Sequence, residues 1–285
     1  MITTMNTVNQ TFNWSRFVAT LRKEVVENKR GLLFTVICIW GLLTLIMILG
    51  NLLTHYPEAI QMAMDEKVPQ GFVGSILTLV VCVAASMGFN NLKTKTSRAS
   101  YLTSPSSTLE KFLVNILIYI VGLVVAFFAC AQLADLTRIA VLGLFKSDTF
   151  MVPGPMNFLT CVTDMASLYG QGQVGMNQFG SIMILGLVAN AGLYLLGSVI
   201  WPRLSLLKTF AAIYAVEICL FILALPIFFI FGDTQALTQW FYDYMTGGRF
   251  SIAMLIFICV QIVVYFGLAW YLFKRKDVIS LKWWK

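Results

Sequence analysis

Residues 112–133 read FLVNILIYIVGLVVAFFACAQL, an apolar run without a single charged side chain. A helix rises about 1.5 Å per residue and the hydrocarbon core of a bilayer is about 30 Å thick, so about 20 such residues cross it. Working outward from this run, the same reading applies near 32–54 and 72–91 on its N-terminal side. It applies again near 180–201, 209–232 and 251–273 on its C-terminal side. The expected form is the α-helix, because a lone strand would leave its backbone unpaired in lipid. The runs are also too long and too uniformly apolar for the alternating strands of a barrel. The composition agrees: 59% of the 285 residues are hydrophobic and 12% are charged, against about 25% charged in an ordinary soluble domain. The expected class is an all-α integral membrane protein with six transmembrane helices.

The net charge of +7 does not point to nucleic acid, because the basic residues follow the membrane sides. Lysine and arginine are retained in the cytoplasm during insertion. The N-terminal segment carries Arg16, Arg22, Lys23, Lys29 and Arg30, and the second-to-third connection carries Lys93, Lys95, Arg98 and Lys111. The fourth-to-fifth connection adds Arg203 and Lys208, and the tail adds Lys274, Arg275, Lys276, Lys282 and Lys285. Sixteen of the twenty basic residues thus fall on alternate connections, leaving Lys67, Arg138, Lys146 and Arg249 for the other side. A wrong span count would scramble this pattern, so both termini are expected in the cytoplasm. The expected organisation is a cytoplasmic segment 1–30, a membrane domain 31–274 and a tail 275–285. Within the membrane domain, 134–179 is expected as a long outer loop.

Within 14–30, Trp14, Phe17, Val18, Leu21 and Val25 recur at helical spacing, with Arg16, Arg22, Lys23, Glu24 and Glu27 elsewhere on the wheel. That pattern describes an amphipathic helix lying in the membrane interface, separate from the first span. The connection 92–111 reads LKTKTSRASYLTSPSSTLEK. Pro105 stops a helix, and Ser107 with Glu110 three residues later forms a capping box that starts the next. A short helix, a turn and the third span are expected in that order.

Arg98, Tyr101, Leu102, Pro105, Ser107, Leu109, Glu110, Lys111 and Phe112 resemble the R-x-x-Y-L-x-L-P-x-S-x-L-E-K-F motif of permease subunits of type-2 ABC exporters. Ser104 departs from it, standing where that family favours leucine. The general layout of amphipathic helix, six spans and cytoplasmic ends is similar too. The resemblance implies a multi-pass protein of the bacterial cytoplasmic membrane that forms a homodimer or heterodimer. It also implies separate ATPase subunits docking on residues 92–104, with Lys93, Lys95, Arg98, Tyr101, Pro105 and Glu110 as coupling residues. The chain has no Walker A sequence, so ATP would be bound by the partner and no cofactor is expected here.

Among polar residues inside the spans, Glu217 is costly to hold ionised in hydrocarbon. Asn190 with Tyr194, and Gln261 with Tyr265, sit four apart on their helices, and such groups commonly join helices. Glu217, Asn190 and Gln261 are the candidates for lining a translocation path. Ala84 and Gly88 form a close-packing pair. The literal G-x-G-x-x-G at Gly170–Gly175 follows no strand pattern, and Ser205-Leu-Leu-Lys208 completes no active site. The single histidine, His55, has no companions for a metal site. No catalytic constellation appears, so an enzyme is not expected. The rival readings are an intramembrane enzyme and a membrane sensor or scaffold without an ATPase. Nothing names the cargo; a lipid, a peptide and a glycan precursor fit equally.

Overall fold

A computed structural model describes residues 12–53, 67–144, 179–230 and 248–275. The described residues form seven helices plus a single 3-10 turn at Asn90–Leu92. They are α1 (Trp14–Leu53), α2 (Lys67–Met87), α3 (Lys95–Thr103), α4 (Thr108–Leu144), α5 (Phe179–Ile200), α6 (Ser205–Ile230) and α7 (Gly248–Lys274). Six of them, all but α3, are long and apolar enough to cross a membrane, and each coincides with one of the six apolar runs.

α5 lies at the centre of the packing, with α7, α2 and α6 against it, while α1 packs mainly on α4. Lipid tails are as apolar as leucine, so close packing rather than a solvent-driven effect must hold such helices together. The core accordingly uses small residues at the crossings, among them Ala85, Ala131, Ala134, Ala191 and Ala269, all buried. Gly88 faces Leu195 of α5, where a Cβ would stand 3.0 Å from the leucine Cδ1. Larger side chains fill the spaces between, notably Leu43, Phe89, Phe127, Leu195 and Phe273. α6 is peripheral, and its side chains from Val216 to Leu223 are exposed.

Two expectations about boundaries are corrected. The segment 14–30 is not a separate helix, because α1 runs unbroken from Trp14 to Leu53. Its apolar stripe is divided: Phe17 and Leu21 pack on Val114 and Ile118 at the start of α4, whereas Trp14, Val18 and Val25 stay exposed. The wheel is helical throughout and contains no proline or capping signal that would break it. The second correction concerns 134–144, placed at the start of the outer loop but belonging to α4. Asp135 and Arg138, counted as outer-loop charges, are buried there and joined at 2.6 Å. Charges three apart on a helix neutralise each other, so a hydropathy run can end while the helix continues. The remainder of the outer loop, residues 231–247 and the tail 276–285 lie outside the described residues.

α4 contains one π-helical stretch, Leu117–Gly122, between its α-helical parts Thr108–Ile116 and Leu123–Leu144. α6 continues through Pro226 without a break.

Candidate functional site

One end of the bundle gathers four basic segments: the start of α1, the connection carrying α3, the α5–α6 link and the end of α7. The expected capping box is present. Ser107 accepts from the Glu110 N–H, and Glu110 accepts from the Ser107 N–H at 2.8 Å. Glu110 does more than cap. It is fully buried, accepts from the Asn13 N–H at 2.8 Å and meets Arg16 at 3.2 Å. One carboxylate therefore closes the start of α4 and ties the start of α1 to it.

α3 is braced in a similar way. Thr94 caps it by accepting from the Ser97 N–H. The Arg98 guanidinium donates to the Leu92 carbonyl at 3.1 Å, folding the connection back on itself. Tyr101 is buried, its hydroxyl accepts from the Asn115 side chain at 2.9 Å, and burial pushes that hydroxyl well above its ordinary pKa. Lys111, also buried, donates to the carbonyls of Leu102 and Ser104 at 3.1 and 3.2 Å, with its ammonium 5.6 Å from the Tyr101 ring centre. Phe89, Phe112, Trp270 and Phe273 form an aromatic cluster beneath, carrying the end of α7 into the same assembly. From the α5–α6 link, Arg203 donates to the Lys93 carbonyl at 3.2 Å.

The six residues expected to contact an ATPase thus divide. Lys93, Lys95 and Pro105 are exposed. Tyr101 and Glu110 are buried and Arg98 is half-buried, all three engaged in holding the connection in shape. Sequence reasoning missed Glu24, placed on the polar side of the wheel but buried here. It accepts from Asn91 at 3.2 Å and from Asn28 at 3.1 Å, joining α1 to the turn before α3. Asn115, a polar residue within an apolar run, was the one legible hint of this inner network.

The second feature is a cleft of about 570 Å³ bordered by α5, α6 and α7. Asn190, Glu217 and Gln261, separated by up to 71 positions in the chain, all line it, together with Tyr265, Thr209 and Trp201. Asn190 is exposed and donates to the Gly186 carbonyl at 3.0 Å. Glu217 is exposed as well. The two i, i+4 pairs behave differently: Gln261 and Tyr265 both face the cleft, whereas Tyr194 turns into the core. Chemically the cleft offers a carboxylate, two amides, a phenol, a hydroxyl and an indole N–H among apolar side chains.

No protein-family model, curated protein or solved structure matches the chain.

Proposed function

We propose that the chain is the membrane-spanning permease subunit of an ATP-driven exporter, coupled to separate ATPase subunits through the connection that carries α3. The observation that carries this reading is the division of that connection. Its outer side presents Lys93, Lys95 and Pro105, while its inner side is bonded to α1, α4 and the α5–α6 link. Such an element can receive a push and pass it on.

In this reading the basic end lies in the cytoplasm, as the lysine and arginine distribution requires. α1 has 40 residues and spans about 60 Å, longer than the roughly 40–45 Å of a bilayer with its headgroups. Its first turns therefore reach into the cytoplasmic interface, where Trp14 and Val18 meet headgroups. Closure of ATP-bound partners presses on 92–104. Lys111 and the Tyr101–Asn115 bond transmit the load to α4, and Glu110 with Arg16 transmits it to α1. The bundle rocks, and the cleft of Glu217, Asn190 and Gln261 opens alternately to each side. Six spans are half of a usual permease pathway, so two copies, or one copy and a related chain, complete it.

The test is mild solubilisation of tagged protein from its native membrane, followed by identification of stoichiometric partners. A soluble ATPase that is lost in the Lys93→Glu/Lys95→Glu variant supports the proposal. An intact complex containing no ATPase would overturn it in favour of a sensor or scaffold.

A further inference from the structure

Glu217, Asn190 and Gln261 stand at one depth in the bundle. Glu217 is 12 positions after Ser205 at the start of α6, Asn190 is 10 before Ile200 at the end of α5, and Gln261 is 13 before Lys274 at the end of α7. With a rise of about 1.5 Å per residue, each lies about 15–20 Å from the basic end. That is near the middle of a hydrocarbon layer about 30 Å thick. Glu217 is the one charged side chain among the described residues that line the cleft. No described lysine or arginine pairs with it. Lys208, the basic residue of α6, is nine positions away, about 14 Å along the axis. The Asn190 amide N–H is spent on the Gly186 carbonyl, so what Asn190 offers the cleft is its Oδ1.

We infer that the cleft binds the protonated head of an amphiphilic amine, which, resting on the permease reading above, is the class of its cargo. An acid held within a membrane is costly unless it is paired, and such acids mark substrate and ion pathways. A cation arriving from outside the chain supplies the missing partner, whereas an anion or a neutral molecule leaves the carboxylate alone. A buried ion pair also needs further hydrogen bonds to offset desolvation. An alkylammonium carries three N–H donors, and the Glu217 carboxylate, Asn190 Oδ1 and the Gln261 amide oxygen offer three acceptors. A metal ion is the other cation to weigh. It requires several acidic, histidine or cysteine ligands, and no such group occurs among the described residues. The body of the ligand is apolar because the walls are, with Leu193, Leu196, Ile213 and Val216 along them. Val216 is 59% exposed and Ile200 40%, so the cleft is open on the membrane-facing side and its ligand enters from the lipid.

The experiment places the full chain in phosphatidylcholine nanodiscs and measures saturable binding of radiolabelled dodecylamine, with empty nanodiscs giving the background of simple partition. Unlabelled dodecylamine is expected to displace the label, dodecyltrimethylammonium to displace it less well for want of N–H donors, and dodecanol to leave it in place. Glu217→Gln should weaken binding about tenfold, equivalent to about 1.4 kcal/mol. Glu217→Asp, which keeps the charge, should retain most of it. Glu27→Gln, on the exposed surface of α1, should bind as the native chain does. Circular dichroism checks that each variant is folded, and the dodecanol competition on the native chain decides the question even if Glu217→Gln is not. Displacement by dodecanol as strong as by the amine would overturn the inference, as would unchanged binding to a folded Glu217→Gln chain. So would a chain without saturable binding that is dimeric in its native form and monomeric as Glu217→Gln, because the cleft would then belong to a second copy. The measurement uses the chain alone, so its failure leaves ATPase docking standing, and a missing ATPase leaves this binding intact.

Discussion

At the scale of single residues, one buried carboxylate carries several obligations. Glu110 accepts from the backbone of Ser107 and Asn13 and forms an ion pair with Arg16, so its removal strands partners on two helices at once. Ser107→Ala, which removes a helix cap alone, is expected to cost about 1 kcal/mol. Glu110→Ala should cost clearly more, because unsatisfied buried donors are penalised more heavily than a lost surface bond. Thermal unfolding in detergent, followed by near-ultraviolet circular dichroism, orders the two; equal midpoints would deny Glu110 its clamping role. Leu204 offers a contrast. It stands in the left-handed region, with φ 57, in the link between α5 and α6, and its side chain is exposed. A Cβ in that region is penalised by about 1–2 kcal/mol. Leu204→Gly is therefore expected to raise the unfolding midpoint slightly, and a lowered midpoint would mean that the side chain contributes more than the backbone costs. Neither property was legible beforehand: the capping box marked Glu110 as a helix start, but its hold on a residue 97 positions away is a tertiary fact.

At the scale of elements, α5 and α6 cross through a glycine. A Cβ at Gly197 would overlap the Thr209 side chain, meeting its Cβ and Cγ2 at 2.9 Å. Threonine is branched at Cβ and has little freedom to turn aside, so the helices must separate. Gly197→Ala is expected to destabilise the pair by about 1–3 kcal/mol. Gly186→Ala, on the same helix with nothing within 4 Å of the added carbon, should be neutral or mildly stabilising, since alanine favours a helix over glycine by about 1 kcal/mol. A denaturation series comparing the two decides the matter, and equal losses would argue against close crossing. The six apolar runs predicted every long helix among the described residues, because hydropathy is a sum over consecutive residues. The junction of 14–30 with the first span was misjudged. A change from amphipathic to uniformly apolar pattern marks a change of surroundings, and a helix can pass through such a change without bending.

At the scale of the whole molecule, the basic end and the polar cleft are separate features that the proposed mechanism joins. If they are coupled, Glu217→Gln should change the ATP turnover of the purified permease–ATPase complex while leaving its assembly intact. Unchanged turnover would remove Glu217 from the mechanism. The Lys93→Glu/Lys95→Glu variant is expected to behave in the opposite way, folding normally, with its altered side chains in solvent, but losing the ATPase. Circular dichroism and co-purification together separate a docking loss from a folding loss.

What the amino-acid order determined by itself was the class: six helices long and apolar enough to cross a membrane, the alternation of basic connections, and a short helix followed by the capped start of the third long one. These are local sums of hydropathy, charge and capping, which act over a few turns and need no knowledge of neighbours in space. Only the tertiary structure decided which motif side chains face inward. Tyr101 finds Asn115, Glu110 finds Asn13 and Arg16, and Arg203 reaches the Lys93 carbonyl 110 positions away. It also decided that Asn190, Glu217 and Gln261 share one cleft. The physical reason is that a polar side chain in a membrane protein must find its partner wherever packing brings one, and that distance in space is not written as distance along the chain.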